Sequence, residues 1–73
     1  MDKEFVIRPY TKKELALCYF PYSKPHTAVN HLMAWIRRCT QLWTQLQATG
    51  YETKNKSFTP RQVKAIVEEL GEP

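Results

Sequence analysis

Apolar residues recur at helical spacing in four stretches of the chain, each bounded by start or stop signals. Leu15, Cys18 and Tyr19 follow the i, i+3, i+4 pattern and predict a first helix over about 12–19. Thr11-Lys12-Lys13-Glu14 is a capping box ahead of it, and Tyr10 with Leu15 has the spacing of a hydrophobic staple. Pro21 ends this helix, leaving Phe20 to Ser23 as a turn. Val29, Leu32, Ile36 and Cys39, widened by Trp35, predict a second helix over about 24–38. Ser23 is its expected cap, with His26 or Thr27 as alternatives, and Pro25 suits the first turn. Thr40 then caps a third helix over 41–49 that turns Leu42, Trp43 and Leu46 inward; the alternative is one helix continuing through Thr40. Gly50 stands where a left-handed residue closes a helix, and Tyr51 where a Schellman motif brings it onto Leu46.

The fourth helix, over 60–70, has the clearest start. Thr59 caps, Pro60 takes the first position, Gln62 completes a capping box, and Phe58 is placed to staple onto Val63. Val63, Ile66, Val67 and Leu70 form its apolar stripe, Gly71 stops it and Pro73 prevents its resumption. Residues 1–9 read as an extended arm held open by Arg8-Pro9, with Phe5 and Ile7 packing down and a short edge strand as one outcome. Residues 51–58 alternate large and polar groups around Lys54-Asn55-Lys56, so they are either a short hairpin turning at a left-handed Asn55, a wing, or a plain loop. The expected fold is mostly α, a single domain of four short helices with helix-turn-helix character and a hairpin or loop between helices 3 and 4.

Composition adds limits. With 73 residues, 42% hydrophobic and 25% charged, the chain is an ordinary globular sequence, too short to spare side chains for a large substrate cleft. The net charge of +4 is unevenly spread. Residues 5–67 hold ten basic against two acidic residues, a local +8, while Glu68, Glu69 and Glu72 collect at the end. Such a field implies nucleic acid or an acidic protein surface as partner. Cys18 and Cys39 fall on apolar helix faces and are expected as buried thiols of a reducing, cytoplasmic compartment, a disulfide between them being disfavoured. The apolar runs are too short for a membrane span.

Catalytic chemistry finds little footing. Ser23 and Ser57 are turn or cap residues, and Glu68-Glu69 are adjacent and so diverge. His26 and His31 are five apart, which does not stack two ligands on a helix face, and no Cys-x-x-Cys accompanies them. Both glycines are helix stops, which leaves no phosphate-cradling loop. The expectation is a non-enzymatic protein with no metal and no cofactor.

Together, Arg8-x-Tyr10, Lys13-Glu14-Leu15-Ala16, Tyr19-x-Pro21, Trp35-Ile36, Leu42-x-x-x-Leu46, Gly50-Tyr51, Phe58-Thr59-Pro60-x-Gln62-Val63 and Leu70-Gly71-Glu72-Pro73 make up a pattern covering nearly the whole chain. It resembles a small bacterial family of unknown function, known mainly from Bacteroides-type gut bacteria, and the resemblance implies no established activity. A looser resemblance is to the helix-turn-helix of MerR-like regulators and excisionases. It rests on Tyr10-Thr11 with Glu14-Leu15-Ala16, then Trp35, then a basic wing at Lys54 to Lys56, then Phe58-Thr59. The chain departs from that pattern in its long Pro21–Pro25 connection and in the extra helix between Trp35 and the wing. The resemblance implies duplex DNA binding, in a regulatory or mobile-element accessory role.

On that reading, Lys12, Lys13, Arg37, Arg38, Lys54 and Lys56 meet phosphates, the first two beside the free amides of helix 1. Lys24 and His26 open the helix that would enter the major groove, where Asn30 can read adenine with His26 and His31 as neighbours. The alternative is a protein-interaction module that docks an acidic partner. Trp35 and Trp43 are expected in the core, Tyr22 exposed, and Trp43 or helix 4 is the expected surface of any homodimer.

Overall fold

The computed structural model describes residues 5–52 and 54–73. The element order is β1 (Tyr10–Thr11), α1 (Lys12–Tyr19), α2 (Pro25–Arg38), α3 (Thr40–Ala48), β2 (Ser57–Phe58) and α4 (Pro60–Leu70), a mostly α fold. α1 packs on α2, α2 on α3 and α3 on α4. β1 and β2 pair antiparallel, Tyr10 opposite Phe58 and Thr11 opposite Ser57, which draws the start of α1 to the segment ahead of α4.

Both strands run into a capped helix. Thr11 Oγ1 accepts from the Glu14 amide at 3.0 Å while Glu14 Oε1 accepts from the Thr11 amide at 2.9 Å. Thr59 and Gln62 repeat the arrangement at α4, with Pro60 at its first position. These reciprocal bonds satisfy amides that a helix start leaves without partners. At the end of α3, Gly50 takes φ +87°, and the Gly50 and Tyr51 amides donate to the carbonyls of Gln47 and Leu46 at 3.0 Å each. That is the Schellman pattern. No side-chain cap bond opens α2 or α3. Lys24, not Ser23, is the cap residue of α2, and Cys39, in extended conformation (φ −88°, ψ 93°), both ends α2 and precedes α3. Thr40 is therefore already helical, and the extended Cys39 keeps the two helices separate.

The fully buried centre is Leu15, Ala16, Ala28, Leu32, Ile36, Leu42, Leu46, Val63 and Ile66, with Tyr10, Met33, Tyr51 and Phe58 against it. Small side chains at Ala16 and Ala28 let α1 and α2 approach closely, and this moves the inward line of α1 to Lys12, Leu15, Ala16 and Tyr19. Cys18 is rotated out and exposed, contrary to the expected buried thiol, and Cys39 is half-buried; both are free. On α2 the same close approach selects Ala28, Leu32 and Ile36, leaving Val29 half-buried and Trp35 41% exposed instead of in the core. Trp43 is half-buried and Tyr22 fully exposed.

Residues 1–4 of the expected arm and Thr53 of the expected hairpin lie outside the described residues. Phe5 stacks on Tyr10 at 5.3 Å, but Tyr10 Oη donates to the Val6 carbonyl at 2.9 Å and folds the arm back. Strand alternation is lost, so Val6 and Ile7 are both exposed. Among the described residues of 51–58, the strand Ser57–Phe58 pairs with β1 and not with its own neighbours, so the loop, not the wing, forms. Asn55 is not left-handed; its amide donates to the Glu52 carbonyl at 2.9 Å in an ordinary turn.

Candidate nucleic-acid interface

The strand pair sets the geometry of the basic surface. The Lys12 amide donates to the Lys56 carbonyl at 2.8 Å, so the first turn of α1 and the segment before β2 are clamped side by side. Thr11, Lys12, Lys13 and Lys56, with Val29 from α2, line an open depression of about 480 Å³. Lys12 is half-buried, its Nζ 5.1 Å from the centre of the Tyr51 ring. The Arg37 guanidinium lies 5.9 Å from the Trp43 ring, and Trp43 meets Tyr51 edge-on at 6.1 Å. Each of the two cations thus lies over its own aromatic ring, and the two rings are nearly perpendicular. Tyr51 is in turn fixed beneath them, stacked on Phe58 at 5.4 Å and donating to Met33 Sδ at 3.7 Å.

Burial lowers the Lys12 pKa, and the nearby positive charge of Arg37 lowers it further. Both effects press on the protonated ammonium, and a bound anion would relieve both. Burial also raises the Tyr51 phenol, with Arg37 opposing.

Lys12, Lys13, Lys56 and Arg37 are brought together, but the rest of the expected set is divided. With about 100° per residue, His26, Asn30 and Arg37 share the flank of α2 that carries Val29. Asn30 Nδ2 lies 3.3 Å from His26 Nε2, so these two form a pair on that flank. His31 is on the other flank, its ring edge-on to Phe20 at 5.3 Å. Arg38 is turned toward Trp35, one helical turn before it, and away from Arg37. Lys24 is exposed at the start of α2, and Lys54 is 3.5 Å from Glu52, which offsets its charge. The amides of helix 1 offer less than expected, since Lys12 donates to Lys56 and Glu14 to Thr11.

Thr11, Val29, Tyr51 and Trp43 belong to this surface although sequence reasoning gave them other roles. The signal for it was the repeated aromatic-Thr-x-x-Glu/Gln start at Tyr10 and Phe58, which marks two equivalent strand-to-helix junctions. A second depression of about 350 Å³ between α3 and α4 carries Arg61 and Lys64 beside Glu68, so its charge is mixed. Among the described residues no group of three His, Cys, Asp or Glu side chains is placed to hold a metal ion, and no helix is long and apolar enough to cross a membrane.

Comparison with curated proteins and with solved structures returns no match. A family profile, in contrast, matches residues 6–73, from the arm through the end of α4. The chain belongs to that family, described as Domain of unknown function (DUF4248).

Proposed function

We propose that this protein is a non-enzymatic, nucleic-acid-binding module, and that the depression between α1, α2 and the Lys56 segment grips the phosphate backbone of duplex DNA. The observation that carries the reading is the Lys12–Lys56 backbone bond, which joins two basic segments far apart in sequence into one cationic rim. The repulsion between Lys12 and Arg37 supports it, because like charges held together favour an anion between them. His26 and Asn30 stand on the same flank of α2 and would be the nearest groups to base edges. A module of this size contacts few base pairs, so the backbone term dominates, in keeping with a regulatory or mobile-element accessory role.

Four cations in the contact give an expected slope of log K against log salt of about −3.6, or roughly a hundredfold loss of affinity between 50 and 200 mM salt. Fluorescence anisotropy of a labelled random duplex at several salt concentrations measures it. Lys13→Glu, Lys56→Glu and Arg37→Glu should each weaken binding to all sequences alike and flatten the slope by about one, whereas Arg38→Glu should have little effect. Equal losses at Arg37 and Arg38 would place the contact face elsewhere. No binding at low salt by the folded protein would sink the reading.

A second reading has one observation in its favour. Val29 puts an apolar floor between the lysines, which suits a carboxylate-bearing protein segment better than a bare phosphate chain. On that reading the same Lys13→Glu variant loses an acidic protein partner while duplex DNA binds neither form.

A further inference from the structure

The flank of α2 opposite the basic depression is built from different chemistry. Trp35 is 41% exposed on it. Phe20 meets Trp35 at 4.9 Å, Tyr19 meets Trp35 at 6.3 Å and His31 meets Phe20 at 5.3 Å, all edge-to-face. These contacts hold the rings as one preformed unit, so little side-chain freedom is left to lose when a partner covers it. The C-terminal turn of α4 stands along one border. Tyr19 Oη donates to the Gly71 carbonyl at 2.6 Å, Glu69 Oε2 lies 3.9 Å from Cys39 Sγ, and the charge of Glu72 acts on Tyr19. Arg38, one turn after Trp35, is a helix-surface neighbour on another border. Among the described residues the ion pair formed is Lys54 with Glu52, and neither Arg38 nor these carboxylates form one with another described residue.

We infer that this face is a homodimer interface, in which Trp35 packs against a second copy and Arg38 pairs with Glu69 or Glu72 of the partner subunit. A two-fold interface must be complementary to itself. An aromatic centre bordered by both a cation and carboxylates meets that condition about a two-fold axis that passes between them, each Arg38 then facing the carboxylates of the other copy. The carboxylates oppose a nucleic acid here, and a partner of single charge sign would be repelled by one border or the other. Trp35 and Arg37 project about 160° apart around α2, so the dimer leaves both basic depressions open. A standard interface covers about 800 Å² per copy, roughly 15% of the 5231 Å² surface, and a patch centred on one exposed tryptophan is expected to support a weak, micromolar dimer. The inference does not depend on the depression binding nucleic acid.

Sedimentation equilibrium up to ~200 µM, without nucleic acid, tests it. The wild-type chain should show a reversible monomer–dimer equilibrium, weakened at least about tenfold by Trp35→Ala and by Arg38→Glu. Adding Glu69→Arg and Glu72→Arg to Arg38→Glu should restore the wild-type equilibrium, since the swapped charges again face their opposites. Arg38 is exposed, so its variants keep the test decisive even if Trp35→Ala unfolds. A monomer throughout the range, a dimer indifferent to Arg38→Glu, or a charge swap without rescue overturns the assignment.

Discussion

Gln62 is buried, and every polar end of its side chain is used: Oε1 accepts from the Thr59 amide at 3.0 Å and Nε2 donates to Thr49 Oγ1 at 3.1 Å. The Thr49 hydroxyl in turn donates to the Leu46 carbonyl at 2.7 Å. One side chain therefore caps α4 and ties it to the end of α3. Thr59→Ala, which removes only the cap hydroxyl, should cost about 1 kcal/mol. Gln62→Ala, which keeps that cap bond through its backbone amide but strips the Thr59 amide and Thr49 Oγ1 of their side-chain partners, should cost about 2 kcal/mol. Urea unfolding measures both, and equal costs would show that the link to Thr49 contributes nothing. Tyr19 gives a pH signature at the same scale. Burial, with the charges of Cys18 and Glu72 acting the same way, pushes its phenol from 10.0 up to about 12. A folded pKa raised above the unfolded one adds stability that is complete below pH 10 and is lost as pH rises through about 12. Tyr51 shifts in the same direction, so the test is a difference: wild type should lose more stability across that window than Tyr19→Phe.

At the scale of elements, the Schellman turn isolates a backbone effect from a packing effect. A Cβ at Gly50 would meet nothing within 4 Å, so the cost of Gly50→Ala comes from its φ of +87° alone. About 1 kcal/mol is expected, and less for Gly50→Asn, which tolerates the left-handed region. A cost near zero for Gly50→Ala in urea unfolding would mean that the α3 terminus rearranges. Helix existence was legible because these signals are local: a capping box, a proline at the first position and a glycine stop act within one turn of where they stand. The strands were not legible for the opposite reason. Two residues carry too little pattern to name a partner, and Phe58 pairs with Tyr10 across most of the chain instead of across the nearby turn. Asn55 signalled a hairpin, but pairing with β1 also buries Phe58 against Tyr51, which a free-standing hairpin could not do.

At the scale of the whole molecule, the surface divides along α2. Arg37, with Lys12, Lys13 and Lys56, charges one flank, while Trp35, Arg38 and the end of α4 make a mixed face on the other. Adjacent arginines consequently belong to different surfaces, and a double substitution of both would blur two separable effects. The depression itself gives a further expectation. Because burial and Arg37 hold the Lys12 pKa down, filling the site with an anion should raise it. An NMR titration of Lys12 Nζ with and without a short duplex reads that shift, and an unchanged pKa in a bound complex would place the phosphates away from Lys12.

The sequence alone determined where α1 and α4 begin and where α3 and α4 end, since capping boxes, prolines and glycine stops depend on a few neighbouring atoms; it did not determine the break between α2 and α3, which no side-chain cap marks. It also determined that the middle of the chain is basic and its end acidic. Tertiary structure decided which face of each helix is inside. Ala16 and Ala28 set a close approach that periodicity does not show, and with it turned Cys18 and Trp35 outward. It decided which lysines are neighbours, because one backbone bond between Lys12 and Lys56 joins segments whose proximity no local pattern encodes. Side-chain direction on a helix is local, but the surface it faces is not.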